Sequence, residues 1–418
     1  MGFVVSPGAK SWVQVSPQSH FPIQNLPFGV ADLGDDTQTL VSRIGDYVID
    51  ILGLAEEGLL LQEGLEDAEG YSDLGKEGLA ELRKSLYDLF RQSNPKLRDQ
   101  SKLKAQVLLP ADEIRLLLPM EVPSFVDFYS GINHASNVGK MFRPDMPPLL
   151  PNYRHLPVGY NGRASSIVPT GVPIFRPNGQ TKAADSELPA FGPTREMDFE
   201  LELGFFLIVG NEFGESIAAD RAEDHMAGFV LVNDWSARDV QRWEYQPLGP
   251  FLAKSFATSV SPWIVSIDAL EPFRIPGPTQ EPQPLPHLRA TQPGHFDIVL
   301  EVTIQTEQMT RPQVISRTNA GELYWSFAQQ LAHQTSNGTP TEPGDLYASG
   351  TISGIDVGSF GSMLELAWRA TKPISMTETG EERTFIEDGD VVTLTGYCQG
   401  NGYRVGFGSL TNQVLPLP

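Results

Sequence analysis

The feature that most constrains this chain is the way glycine and proline punctuate it. The 39 Gly and 34 Pro make up about 17% of 418 residues, against a usual ~12%, and they are dispersed among short apolar runs. Neither residue suits a helix interior, so the pattern favours many short strands joined by tight turns. The strand-like runs are DFELELGFFLIVG, GFVLVND, FDIVLEVTIQT, GDVVTLTG and GYRVGFG. Helical spacing is clear only from Leu79 to Arg91, in WSARDVQRWEY and in GELYWSFAQQLAHQT. Before about residue 118 the character differs: strand-like RIGDYVIDI, then a helix, then a basic-to-apolar connector punctuated by Pro110 and Pro119. The expectation is therefore a mainly β chain with some α, divided into a small N-terminal domain over 1–118 and a larger domain over 119–418. The Pro-rich stretch from Glu271 to Gly294 reads as an extended surface excursion, and no internal repeat is evident.

Charge removes several function classes. With 52 acids against 30 bases the formal net charge is -22, which would repel a polyanion, so nucleic acid is not an expected partner. Charged residues are only 20% of the chain and apolar ones 40%, the balance of a folded protein and not of a disordered polyelectrolyte. No apolar run approaches the ~20 residues of a membrane span, and the first residues lack the layout of a secretory signal; no membrane contact and a cytoplasmic location are expected. Cys398 is the single cysteine and reads as a bland or buried thiol. Asn337-Gly338-Thr339 reads as a turn.

Candidate chemistry gathers in four places. In DFELEL, Glu200 and Glu202 lie two apart on a strand and share a face; a solvated acidic face is the commoner reason for such alternation. Asp234 closes the run GFVLVN, where it suits a helix N-cap as well as a site. If WSARDVQRWEY is helical, Asp234, Arg238, Gln241 and Tyr245 form one polar stripe, with Val240 and Trp243 on the packing side. Lys254 and Thr258, four apart, share one side. In VDFYSGINHASNVGKMFR, His134 sits among Asp127, Tyr129 and Arg143. In GDLYASGTISGIDVGSFGSMLELAW, Thr351 occupies a Gly/Ser-rich loop, and Glu365 interrupts a strand-like apolar run, where it needs a partner. GNGYRVGFG lacks the spacing of a dinucleotide loop and reads as a hairpin; no Walker or G-x-S-x-G motif is present.

The blocks FPIQNLPFGV, LPVGYNGRASSIV, NDWSARDVQRWEYQPLGPFLAKSF, ASGTISG, FGSMLELAW and GYRVGFG run nearly end to end, and through them the chain closely resembles the fumarylacetoacetase family. The resemblance implies an N-terminal SH3-like barrel, a C-terminal β-roll carrying the active site, and a homodimer. It also implies hydrolysis of a carbon-carbon bond of the anionic diketo acid 4-fumarylacetoacetate, the last step of tyrosine and phenylalanine breakdown. The alternative within the superfamily is hydrolysis or decarboxylation of acylpyruvates or related 2-oxo acids. By resemblance, Asp127, Glu200, Glu202 and Asp234 match Ca²⁺ ligands, and Asp234, Lys254 and Thr258 a Mg²⁺ site. Substrate contacts fall on Tyr129, Arg143, Gln241, Tyr245 and Thr351. The catalytic His134 would be oriented by Glu365, with Arg238, Gln241 and Lys254 completing the polar pocket. One departure is Asn161, which stands where members of the family carry His.

Elementary physics agrees with the implied ion. Four ionised carboxylates within a few ångströms repel by several kcal/mol per pair at an effective dielectric near 20, so they call for a cation. An all-oxygen donor set suits a hard ion such as Ca²⁺ or Mg²⁺, and zinc is disfavoured without His or Cys ligands. An anionic substrate on an acidic protein further requires that Arg143, Arg238 and Lys254, with the ion, make the pocket locally electropositive.

Overall fold

The computed structural model describes residues 2–34, 37–61, 65, 67–68 and 70–417. It is mainly β with some helix, as the Gly/Pro punctuation suggests. A seven-stranded sheet occupies the centre. Its order is Gly159–Asn161, Phe125–Phe128, Leu346–Ala348, Leu201–Leu207, Met226–Asp234, Thr258–Val260, Ile167–Pro169. Two neighbouring pairs run parallel, Phe125–Phe128 with Leu346–Ala348 and Thr258–Val260 with Ile167–Pro169; the other pairs are antiparallel.

Both faces of this sheet are covered, which is why Leu201–Leu207 and Met226–Asp234 are buried at every position. On one face Val126, Phe128, Leu203, Phe205, Phe229, Leu231 and Tyr347 join the larger core. That core includes residues of the antiparallel strands Val299–Gln305, Val391–Gln399 and Arg404–Leu415. On the other face Phe125, Phe206, Val230, Val232, Val260 and Leu346 pack with residues of the first 108 positions. Many of these come from Phe28–Asp32, Gln38–Ile44, Tyr47–Asp50 and Leu108–Pro110, four strands of an antiparallel five-stranded sheet completed by Arg115–Leu116, and from the helix Gly75–Phe90. Leu79, Leu82, Leu86, Leu89 and Phe90 form the buried stripe of that helix, at the three- and four-residue spacing visible in the sequence.

Smaller expectations can be placed directly. GNGYRVGFG forms the turn and second strand of the hairpin Val391–Gln399 with Arg404–Leu415. Cys398 is fully buried, and burial pushes its thiol up. Asn337 forms a turn whose side chain accepts from the Thr339 amide at 3.0 Å. From Glu271 to Gly294 regular structure is confined to short pieces such as Glu271–Phe273, Arg274–Ile275 and Pro286–Leu288. Three local expectations are corrected. MLELAW is not a strand: Met363–Leu366 is a short helix capped by Ser362. Asp234 is not an N-cap, because it ends a strand and the following helix, Arg238–Glu244, begins four residues later behind Ala237. Glu200 and Glu202 do not form a solvated face; they are 5% and 0% exposed.

Candidate active site

Strand register brings the acids together. Asp127 pairs with Ala348, Ala348 with Gly204, Glu202 with Val232, and Asp234 with Thr258, so the carboxylates lie across adjacent strands at one end of the central sheet. Alternation also sets their common side. Asp127 shares parity with Phe125, Glu202 with Phe206, and Asp234 with Val232, and those apolar residues all face the second core. The acids thus continue an apolar row beyond its end. Asp127, Glu200, Glu202 and Asp234 each offer an oxygen within 4.8 Å of the others, and all four are buried.

Not all of these oxygens are satisfied by protein. Glu200 is held by Arg238 Nη1 at 2.8 Å and by Lys254 Nζ. Asp234 accepts from Lys254 Nζ at 2.7 Å, Tyr160 Oη at 2.7 Å and Thr258 Oγ1 at 2.9 Å. In contrast, Asp127 Oδ1 and Glu202 Oε1 are buried with no hydrogen-bond partner among the described residues. Burial first, then the neighbouring carboxylates, push the Asp127 and Glu202 carboxyls well above the usual carboxylate range. Burial would raise Glu200 too, but Lys254, Arg238 and His134 hold it below that range. Two orphaned oxygens beside two satisfied carboxylates fit a hard cation, and the all-oxygen donor set excludes a thiolate or imidazole site. The cluster could therefore hold a metal ion.

Next to the acids stands an imidazole-carboxylate pair. His134 lies in the helix Ile132–Phe142 and donates from Nδ1 to Glu365 Oε2 at 2.6 Å. Glu365 is fully buried and also accepts from Ser353 Oγ at 2.9 Å, Ser362 Oγ at 2.8 Å and Asn137 Nδ2 at 2.9 Å. Burial would raise its carboxyl, but His134 and these donors hold it below the usual range, so Glu365 is ionised and acceptor-only. The proton of the neutral ring is thereby placed on Nδ1, and Nε2 is left as an acceptor, 4.0 Å from Glu200 Oε1. Gly131 lets the start of this helix approach the loop after Leu346–Ala348, since a Cβ there would lie 2.3 Å from Thr351 O.

His134 of the pair, with Asp127 and Glu200 of the acids, lines a cavity of about 560 Å³. Every substrate contact expected from the sequence lines it: Tyr129, Arg143, Gln241, Tyr245 and Thr351. His134, Arg238 and Lys254 line it as well. Thr351 Oγ1, Arg143 Nε and Arg238 Nη2 have no partner among the described residues, so donors remain free for a ligand. Of the four-residue stripe anticipated on WSARDVQRWEY, Arg238 and Gln241 share the helix, with Arg238 Nη1 donating to Gln241 Oε1 at 3.1 Å, and Tyr245 follows its end. Asp234 reaches the same place from a strand. Trp243, expected on the packing side, is 43% exposed, whereas Val240 is buried. Thr258 and Asp234 line a second cavity of about 520 Å³ behind Lys254, together with Asn161. On the wall of the first cavity Arg143, Arg238, Arg242 and Lys254 stand beside Asp127 and Glu200.

Residues 125–415 match the family model described as Fumarylacetoacetate (FAA) hydrolase C-terminal, and residues 24–119 match Fumarylacetoacetase N-terminal. The chain belongs to the fumarylacetoacetase family. It is 47% identical to the fumarylacetoacetase of Rattus norvegicus over 414 residues, covering 97% of this chain and 99% of the relative. The Dictyostelium discoideum fumarylacetoacetase is 46% identical over 421 residues, with 97% and 98% covered, and that of Arabidopsis thaliana 43% identical over 418 residues, with 98% and 99% covered. Among solved structures, a fumarylacetoacetate hydrolase from Exiguobacterium antarcticum superposes with a TM-score of 0.51 at 18% identity, covering 94% of this chain and 100% of that one. A 5-carboxymethyl-2-hydroxymuconate delta-isomerase from Mycobacterium smegmatis gives 0.50 at 20% identity, again with 94% and 100% covered. At such identities these two structures speak for the fold alone.

Several residues of this family member's site escaped the reading of its sequence. Asn137 stands three residues after His134 on the same helix, a spacing that could have flagged it. Ser353 and Ser362 bind Glu365 from loops and carry no comparable signal. Tyr160 comes from a sheet-edge strand remote in sequence from Asp234, and nothing in the chain's pattern pairs the two.

Proposed function

We propose that this chain hydrolyses 4-fumarylacetoacetate to fumarate and acetoacetate, the final step of tyrosine and phenylalanine catabolism. The carrying observation is His134, fixed by Glu365 at 2.6 Å, on the wall of one cavity with Asp127 and Glu200 of a buried four-carboxylate cluster. Its family membership and the curated fumarylacetoacetases matched over 97% of the chain support the same reading.

His134 Nε2 accepts a proton from water as the water oxygen bonds to the substrate carbonyl carbon. Glu365 holds the ring in the required tautomer and stabilises the imidazolium that results. Arg238, Gln241 and Lys254 donate to the oxyanion, a contribution of roughly 3 kcal/mol per well-aimed donor. The carbon-carbon bond then breaks, its electrons leave as the acetoacetate enolate, and the proton held by His134 can return to that carbon. Tyr129, Arg143, Gln241, Tyr245 and Thr351 position the substrate. Asp127, Glu200, Glu202 and Asp234 would hold Ca²⁺, and Asp234, Lys254 and Thr258 would frame a Mg²⁺ site. When bound, such a divalent ion supplies Lewis-acid polarisation and takes up enolate charge.

The same reading assigns the first 118 residues to an SH3-like barrel domain and 119–418 to a catalytic β-roll, with a homodimer working in the cytoplasm. Among the described residues no helix is long and apolar enough to cross a membrane. The test is to add fumarylacetoacetate, with Ca²⁺ or Mg²⁺, and follow the diketone absorbance with an acylpyruvate in parallel. Loss of the fumarylacetoacetate signal is expected. Loss confined to the acylpyruvate would assign the chain to that branch of the superfamily, and no loss with either would overturn the hydrolase reading.

A further inference from the structure

Asp198 lies two residues before Glu200, is fully buried, and touches none of the four clustered carboxylates through a hydrogen bond in the structure. Its partners lie elsewhere. Oδ2 accepts from Arg238 Nε at 2.8 Å and from the Leu364 amide at 3.0 Å, while Oδ1 accepts from the Met363 amide at 2.7 Å. Arg238 then reaches Glu200 through Nη1 and leaves Nη2 unpaired, whereas Met363 and Leu364 open the short helix that carries Glu365. One carboxylate therefore joins the guanidinium to the turn that orients His134.

We propose that Asp198 is a positioning residue that sets Arg238 and the Glu365 turn in one frame, fixing the distance between the oxyanion donor and the general base. Three observations carry this. A helix of four residues has little cohesion of its own, since nucleation is costly and its first amides have no partners within it. Ser362 caps only the Glu365 amide, at 3.3 Å, so the Met363 and Leu364 amides depend on Asp198. On the other side, Asp198 is the acceptor for the Arg238 Nε proton, and the planar guanidinium cannot rotate away without losing it.

The proposal rests on the assigned roles of His134 and Arg238, so its test includes a readout that needs no substrate. Asp198→Asn keeps shape but removes the charge and replaces one acceptor by a donor facing an N–H. The expected result is a kcat lowered by about 30-fold or more, with KM changed less than about threefold. The far-downfield proton resonance of the His134 Nδ1–H···Glu365 bond should move or broaden as well. A folded Asp198→Asn protein with kcat within twofold of wild type, or with that resonance unmoved, overturns the proposal.

Should Asp198→Asn not fold, Met363→Pro compared with Met363→Ala asks the same question. Both lose the Met side chain, but only proline removes the amide that Asp198 accepts. Proline is tolerated at this first helical position, and Ser362 is already extended at φ -149, ψ 153. A kcat at least threefold lower for the proline variant supports the proposal, and equal values overturn it. Absence of fumarylacetoacetate turnover in wild type would sink the functional reading instead, and the resonance would still report on Asp198.

Discussion

At the scale of single residues, burial decides what each ionisable group can do. His134 is 2% exposed and has one strong partner, so its role is that of a fixed acceptor at Nε2. His134→Gln is expected to cut kcat by about 10³-fold or more, while a cation titration followed by calorimetry stays within about threefold of wild type; near-normal turnover would remove His134 as the base. Asp345 offers a case away from the site. Burial pushes its carboxyl up to about 6, and its Oδ1 has no hydrogen-bond partner among the described residues. A raised folded value means that the native state keeps a proton which the unfolded chain releases. Asp345 therefore loses stability as pH rises from about 4 to about 6, and above that window the penalty is complete. Asp345→Asn should gain about 1–2 kcal/mol on wild type between pH 4.5 and 7.5 in denaturant melts, with solvent screening already allowed for. Parallel curves at the two pH values would show that the carboxyl titrates normally.

At the scale of elements, the site depends on strand ends whose backbones approach closely. Gly350, just past Leu346–Ala348, has φ +75, and a Cβ there would sit 2.2 Å from Phe128 O. Its amide donates to Glu202 Oε2 at 3.1 Å. Gly350→Ala is expected to cost on the order of 3 kcal/mol in thermal or chemical unfolding, from the left-handed backbone and the overlap together. A loss below about 1 kcal/mol would mean that the two strand ends can part without harm. The Leu201–Leu207 strand begins one residue after Glu200 and contains Glu202, and it is there that cation binding should be most sensitive. Glu202→Gln can keep the Gly350 bond only with its single oxygen, which puts an NH2 donor where the unpartnered oxygen stood. A 10- to 100-fold weaker Ca²⁺ isotherm is expected by calorimetry, and unchanged affinity would exclude Glu202 from the ligand set.

At the scale of the whole molecule, a net charge of -22 surrounds a cavity whose wall carries Arg143, Arg238, Arg242 and Lys254 against Asp127 and Glu200. The long-range field repels an anionic diketo acid, and the local field receives it once it is within about a Debye length, ~8 Å at physiological salt. Salt screens the first more than the second, because Arg238 and Lys254 are buried. For fumarylacetoacetate, kcat/KM should therefore rise, by less than about tenfold, as ionic strength goes from about 10 mM to about 150 mM. A steep fall over the same range would mean that exposed cations steer the substrate, and among the described residues the cavity wall carries no Lys or Arg beyond those four.

Much of the protein was already written in the order of its residues. Gly and Pro spacing implied short strands, apolar runs located the buried ones, and every residue proposed for the site lies on one of two adjoining cavities or in the acid cluster and the pair beside them. Local pattern fails where the partner is distant in sequence. Glu200 and Glu202 look like a wet face until Asp127 and Asp234 are laid beside them by strand pairing 73 or more residues apart for Asp127. MLELAW looks like a strand because apolar residues surround Glu365, but its first turn is held by the Ser362 cap and by amide contacts to Asp198, 165 residues away. The stripe drawn from Asp234 to Tyr245 mixed a strand end with a helix, since spacing alone cannot say where one element stops. Periodicity reports which side of an element is apolar, an i-to-i+4 property. Which buried charges meet is set by register and layer packing, and those interactions span the chain.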